Sequence, residues 1–190
     1  LRTFHVGTQP ESNEQEPNGD FAAPQAIPLG TVVNGVITNE DVDYFVIEAK
    51  EGERISVEVE GLRLGRTFFD PAIAILDEER FEVAASDDSP LMQQDAFCSV
   101  LAPKTGKYIV EMRETSYRGD DASTYRLHIG KFPRPGVAFP GGGKPGEEVE
   151  LKLLGDPLGE KLAKVNLPET PPLDYRFAAE DEAGAAATGL

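Results

Sequence analysis

The residues with the most chemistry to offer are acids in two short stretches. In Glu14-Gln15-Glu16-Pro17-Asn18-Gly19-Asp20 the residue before Pro17 is biased toward extended backbone, and an extended run projects Glu14, Glu16 and Asn18 from one side at i, i+2 and i+4. In Asn39-Glu40-Asp41-Val42-Asp43-Tyr44-Phe45 a polar turn enters an apolar strand, with Asp41 and Asp43 at the head of the face that also carries Phe45, Ile47 and Ala49. A buried carboxylate must be paired, hydrogen-bonded or bound to a metal. Calcium takes about six to eight oxygens from carboxylates, amide carbonyls and backbone, and the two stretches together could supply such a set. The competing reading is solvated carboxylates with an Asx turn, which an acidic chain also produces.

Other reaction chemistry finds little material. A hydrolytic triad needs a nucleophile, a base and an orienting group, yet the chain has only His5 and His128, and His128 alternates with Leu127 and Ile129 as a solvated or cross-strand residue would. Cys98, in Ala96-Phe97-Cys98-Ser99-Val100-Leu101, reads as a small buried hydrophobe on a strand. Neighbouring acids such as Asp87 and Asp88 diverge on a strand and are better read as a turn, and Gly141-Gly142-Gly143-Lys144 lacks the ending of a phosphate loop. No enzyme is expected, and no zinc cluster is visible.

The acids must be positioned by strands. Thr31 to Ile37, Asp43 to Ala49, Arg54 to Glu60, Ala72 to Leu76, Phe81 to Ala85, Phe97 to Leu101, Tyr108 to Met112 and Tyr125 to Ile129 are short apolar or alternating runs separated by turn residues. In the third, Ile55, Val57 and Val59 face inward, while Arg54, Ser56, Glu58 and Glu60 are expected to face water. Phe45, Ile47, Ile55, Val57, Ile73, Ile75, Tyr108 and Val110 are the expected core. The pattern implies an all-β, antiparallel jelly-roll sandwich with a small β-rich C-terminal extension.

Thirty-four Asp and Glu against eighteen Lys and Arg give a formal charge of −16. That balance argues against nucleic acid and anionic membranes as partners, and no apolar run is long enough to span a bilayer. The first residue is not Met and no secretory signal opens the chain, so it reads as an excerpt of something longer. Residues 1–10 are expected to be a strand remnant, Leu1 to Val6, plus linker; the strand should pair with the material after Lys131, in the same chain or a neighbouring one, with Glu147 to Leu154 as the expected acceptor. The sandwich is expected over 11–130, a proline-braced hinge and a partial β module over 131–177 with Asp174 to Phe177 as a further strand, and a flexible tail over 178–190.

Glu14-Gln15-Glu16-Pro17-Asn18, Asp41-Val42-Asp43-Tyr44-Phe45, Asp70-Pro71-Ala72-Ile73-Ala74-Ile75-Leu76, Ala85-Ser86-Asp87-Asp88 and Ala102-Pro103-Lys104-Thr105-Gly106-Lys107-Tyr108, closing on Tyr125-Arg126-Leu127, together resemble the bacterial pre-peptidase C-terminal domain. The resemblance covers about Glu11 to Gly130 and is similar to the collagen-binding domains of clostridial collagenases. It implies a jelly-roll accessory module of secreted or cell-surface bacterial proteins, attached to neighbouring domains, with calcium held by Glu14, Glu16, Asn18, Asp41 and Asp43. One departure stands out: Gly19 follows Asn18 where the collagenase pattern has Asp, and Asp20 comes one place later, facing the other way. Val137 to Leu151 is similar to the opening of an immunoglobulin-like module. The functional expectation is a calcium-stabilised spacer; the alternative is a module that binds an extracellular protein or polysaccharide, with Phe68, Phe69 and Tyr117 as candidate contacts.

Overall fold

The computed structural model describes residues 5–89, 92, 94–173, 175–187 and 189, and divides into two compact units, Leu1–Lys131 and Phe132–Leu190. The first unit contains β1 (Glu11–Asn13), β2 (Gln25–Ala26), β3 (Thr31–Val36), β4 (Val42–Ala49), β5 (Arg54–Glu60), β6 (Pro71–Asp77), β7 (Glu82–Ser86), β8 (Phe97–Leu101), β9 (Gly106–Glu114) and β10 (Thr124–Gly130). Among the described residues there is no α-helix, a 3₁₀ turn spans Leu62–Leu64, and no helix is long and apolar enough to cross a membrane.

Two five-stranded sheets form the sandwich, one in the order β1-β3-β10-β5-β8 and the other β2-β4-β9-β6-β7. Strands alternate between the sheets from β3 to β6 and again from β7 to β10, as in a jelly roll. Every pair is antiparallel except the edge pairs β1–β3 and β2–β4, which are parallel. Parallel neighbours need a crossover. For β1 and β3 the intervening chain supplies it, passing over to β2 in the other sheet before returning.

The alternation of apolar residues fixes which faces meet. Phe45, Ile47, Ile55, Val57, Ile73, Ile75, Tyr108 and Val110 are all 2% exposed or less and share one core with Val33, Met112, Leu127 and Ile129. Fully burying each such aliphatic side chain stabilises by about 1.5–3 kcal/mol. The outer face of the second sheet carries a smaller cluster, Tyr44, Ala74, Leu76 and Ile109, covered by Phe21. The Phe21 ring meets Tyr44 edge-on at 5.8 Å and lies under the Arg80 guanidinium at 5.1 Å.

The outward residues of β5 are not in water. Arg54, Ser56, Glu58 and Glu60 are 5%, 0%, 0% and 2% exposed. The cause is a polar layer built from Arg63, just beyond the strand, and from parts of the chain far away in sequence. Arg54 Nη2 donates to the Lys131 carbonyl, Ser56 Oγ pairs with Ser99 Oγ at 2.7 Å, Glu58 meets Arg63, and Glu60 meets Arg126, His128 and His5. Charged groups remain buried because they are mutually compensated.

The second unit is a three-stranded antiparallel sheet of β11 (Val137–Phe139), β12 (Glu148–Leu154) and β13 (Lys161–Asn166), with a short hairpin of β14 (Glu180–Asp181) and β15 (Gly184–Ala185). Val149, Leu151, Leu153, Val165 and Ala179 form its core. The expected flexible tail therefore carries the hairpin, and Ala186 donates its N–H back to the Ala179 carbonyl at 2.7 Å. Of the strand expected near Asp174, that residue lies outside the described ones, and Tyr175 to Phe177 are not extended into a ladder. Of the expected first strand, Leu1 to Phe4 lie outside the described residues; His5 and Val6 are irregular. The expected acceptor, β12, has both edges filled by β11 and β13.

Candidate metal centre

The acidic segment runs from β1 to β2, crossing from one sheet to the other at a common edge. It is fastened on both sides by Gln25, whose Oε1 accepts the Gln15 N–H at 2.8 Å and whose Nε2 donates to the Asn13 carbonyl at 3.2 Å. Asn18 is drawn to the head of β4, where its carbonyl accepts the Tyr44 N–H at 3.0 Å. The turn before β4 is shaped by Asp41, whose Oδ2 accepts from Thr38 N at 3.1 Å and Thr38 Oγ1 at 3.3 Å.

These fastenings bring the two stretches together. Glu16, Asp41 and Asp43 each place a carboxylate oxygen within 4.8 Å of the others, at the junction of the acidic segment and β4. Glu16 Oε2 also accepts the Asn18 N–H at 3.0 Å. Asn18 is 1% exposed, and neither its Oδ1 nor its Nδ2 has a protein partner; Asp43 is fully buried, and its Oδ1 has none either. Leaving such atoms unmatched costs about 1–3 kcal/mol each.

Glu14 sits differently. Its Oε1 accepts the Val36 N–H at 2.8 Å and its Oε2 accepts from the Tyr125 hydroxyl at 2.9 Å, so it supports the centre through Tyr125, whose hydroxyl also lies 2.6 Å from Asp43 Oδ2. Asp20 is exposed and accepts the Ala22 N–H at 2.9 Å.

The electrostatics follow from burial and crowding. Burial pushes the Asp43 carboxyl up to about 8; the Tyr125 hydrogen bond opposes this, and the charges of Glu14, Asp41 and Glu16 add to it. Burial likewise raises Glu14, against the pull of the Tyr125 and Val36 hydrogen bonds. The Tyr125 phenol is pushed well above its ordinary value by burial and by the two carboxylates it faces. Hard oxygen donors, crowded negative charge and an amide oxygen without a partner suit a hard divalent cation such as calcium. Glu16, Asp41, Asp43 and Asn18 would hold it.

A second buried constellation was not apparent in the sequence. Glu60 Oε1 lies 2.6 Å from His128 Nε2 and 2.8 Å from Arg126 Nη1, and Glu60 Oε2 lies 2.8 Å from His5 Nδ1. Burial works against the Glu60 charge, but these cations and hydrogen bonds hold its carboxyl below the usual range. Both histidines thus serve a structural carboxylate. Asp95, also fully buried, accepts Gly61 N at 3.0 Å, Leu62 N at 2.7 Å, Arg63 N at 3.2 Å and Arg63 Nε at 2.5 Å.

Of the candidate aromatic contacts, Phe69 is a core residue at 1% exposure, while Phe68 and Tyr117 are 75% and 48% exposed. Cys98 is buried, and its thiol is pushed up to about 12 by burial and the nearby Glu82 charge.

Residues 41–114 match the family described as the bacterial pre-peptidase C-terminal domain. Among solved structures, the pre-peptidase C-terminal domain of collagenase from Bacillus anthracis is similar at 18% identity and a TM-score of 0.41, covering 65% of this chain and 99% of that one. PliG of Aeromonas hydrophila, a periplasmic inhibitor of g-type lysozyme, is similar at 14% identity and a TM-score of 0.37, covering 55% of this chain and 96% of its own. PliG of Salmonella Typhimurium is similar at 14% identity and a TM-score of 0.32, with 64% and 99% covered. No curated protein sequence matches the chain.

Proposed function

We propose that the chain, whose residues 41–114 match the family described as the bacterial pre-peptidase C-terminal domain, is a non-catalytic accessory module of an exported bacterial protein, stabilised by one calcium ion. The observation that carries the cation is the junction of Glu16, Asp41 and Asp43 beside the buried, unmatched Asn18 amide and Asp43 Oδ1. A divalent ion at that point satisfies both deficits at once: it neutralises crowded carboxylates and occupies orphaned oxygens. The set supports a single ion. Glu14 is engaged by Val36 and Tyr125, and Asp20 is exposed and engaged by the Ala22 N–H.

Such an ion ties the segment between β1 and β2 to the head of β4, and so fastens one sheet to the other. A module whose role is to hold its neighbours apart in the exported polypeptide gains rigidity in this way. The second unit, a three-stranded sheet after a proline-rich hinge, is read as part of an immunoglobulin-like neighbour in the same array.

The test is thermal melting of protein stripped with chelator and titrated with calcium. An ion that binds only the folded state at a hundredfold excess over its Kd adds about 2.7 kcal/mol. The melting temperature rises with calcium, and Asp43→Ala removes most of the rise. No shift at millimolar calcium rejects the reading. A second reading, a module that holds an extracellular polymer for an attached enzyme, is favoured by one observation, the exposure of Phe68 and Tyr117 in loops.

A further inference from the structure

Phe68, Phe81 and Tyr117 are the large aromatics of the first unit that stand in water among the described residues. Tyr117 alone of the three combines a positive φ with hydrogen bonds at both its N–H and its carbonyl. It takes a left-handed conformation at φ 58°, as does Glu40 at φ 59°, and a hydrogen bond joins the two, Glu40 N donating to the Tyr117 carbonyl at 2.9 Å. Residues other than glycine hold this conformation only where their surroundings impose it, and such places cluster at ligand contacts. Here the surroundings are explicit. Tyr117 N donates to the Glu114 carbonyl at 3.0 Å, and Glu114 Oε2 accepts both neighbouring amides, Ser116 at 2.7 Å and Arg118 at 2.9 Å. Under the ring lies the Arg113 guanidinium, 4.8 Å from the centroid, itself fixed to the carbonyls of Glu114 and Thr115.

One ring face is therefore backed by a cation, and the ring is nevertheless 48% exposed. Resting on the cation reading above, we propose that Tyr117 is a stacking platform for a sugar ring of a neutral polysaccharide, and that calcium in the adjoining turn steadies it through the Glu40–Tyr117 hydrogen bond. The chemistry selects this partner over others. A polyanion is repelled by a chain of net charge −16. A cationic group approaching the open face would meet the Arg113 charge across the ring. A stable protein interface needs roughly 800 Å² on each side with an apolar centre, whereas Ser116, Arg118 and Asp120, close to Tyr117 in the chain, and Glu40, hydrogen-bonded to it, are polar. A sugar asks for one flat apolar face and planar hydrogen-bonding groups at its edge, and arginine and carboxylate side chains are such groups.

The experiment is retention of the chain on amorphous cellulose, on chitin and on gelatin, each with calcium or with chelator. The expected result is calcium-dependent retention on at least one of the two polysaccharides, lowered about tenfold by Tyr117→Ala, kept by Tyr117→Phe, and unchanged by Phe81→Ala. Retention on neither polysaccharide, retention on gelatin alone, or a Tyr117→Ala variant that binds like the parent overturns the inference. A calcium-raised melting temperature in a chain that ignores both polysaccharides sinks the platform and leaves the cation reading standing. Tyr117-dependent retention in a chain whose melting ignores calcium supports the platform and overturns both the cation reading and the steadying of Tyr117 by calcium.

Discussion

The Tyr125 hydroxyl oxygen lies 2.6 Å from Asp43 Oδ2 and 2.9 Å from Glu14 Oε2 inside the sandwich. A phenol has one proton to give. Both contacts are satisfied together when one of the two carboxyls carries a proton of its own, in line with the raised position of Asp43 at about 8. Tyr125→Phe removes the shared donor and leaves two buried acids facing each other. The expected loss is about 2–3 kcal/mol in urea unfolding, and a loss below about 0.5 kcal/mol would show the contact to be incidental.

Gly35 faces Tyr125 across the ladder between β3 and β10. A methyl group there would overlap both the Tyr125 ring and the Glu14 carboxylate. Gly35→Ala should cost about 1–3 kcal/mol by overpacking and weaken the calcium response with it, because the displaced pair backs Asp43. A variant with the parent's urea midpoint rejects the argument.

Asp95 collects three backbone N–H groups and the Arg63 guanidinium. Asp95→Ala leaves those donors unmatched and Arg63 without its closest carboxylate, at a cost of about 3–5 kcal/mol. Circular dichroism melting checks it; a drop in melting temperature no larger than that of an exposed control such as Asp121→Ala would refute it.

Acid should act through Glu60. Its folded carboxyl lies below the ordinary value of 4.5, so the folded state binds fewer protons there than the unfolded chain. The stability it contributes is complete above that ordinary value and is lost as pH falls through the folded one. Asp43 has the opposite sign, its raised carboxyl favouring the folded state at low pH and losing that contribution as pH climbs toward about 8. Comparing the parent with Glu60→Gln isolates the first effect: the variant's urea midpoint should depend less steeply on pH below 4.5. Parallel curves would exclude it.

Much of this molecule is legible from alternation alone. Phe45, Ile47, Ile55 and Val57 had to face a core, and they do, because period-two apolarity leaves a strand one face to bury. Arg54, Ser56, Glu58 and Glu60 show where that logic ends. Polarity on the second face of β5 does not reveal that His5, Arg63, Ser99, Arg126 and the Lys131 carbonyl will converge on it, since these partners come from five separate places in the chain. Edge strands of two or three residues, β1 and β2, are too short for a periodic signal. At the candidate centre, the spacing of Glu16, Asn18, Asp41 and Asp43 was visible, but the diversion of Glu14 to Val36 and Tyr125 depends on the register of β3 against β10.

Cys98 offers a simple probe of core integrity. With its thiol buried and pushed up to about 12, it should resist a thiol reagent at pH 8 for as long as the sandwich stays closed, and react at once in urea. Rapid labelling of the native chain would contradict the packing of β8.

The two edges of the sandwich are closed in unlike ways. At one, β7 and β8 lie against each other. At the other, a single stretch of chain runs as β1 along one sheet, crosses, and continues as β2 along the other. The crossing acts as a stitch: the halves cannot gape on that side, book-fashion, without unpicking a parallel pair in one sheet or the other. Breathing of the interior is thereby pushed toward the β7–β8 side, and Glu16 and Asn18 lie on the thread itself, where whatever they bind together with Asp41 and Asp43 would draw it tight.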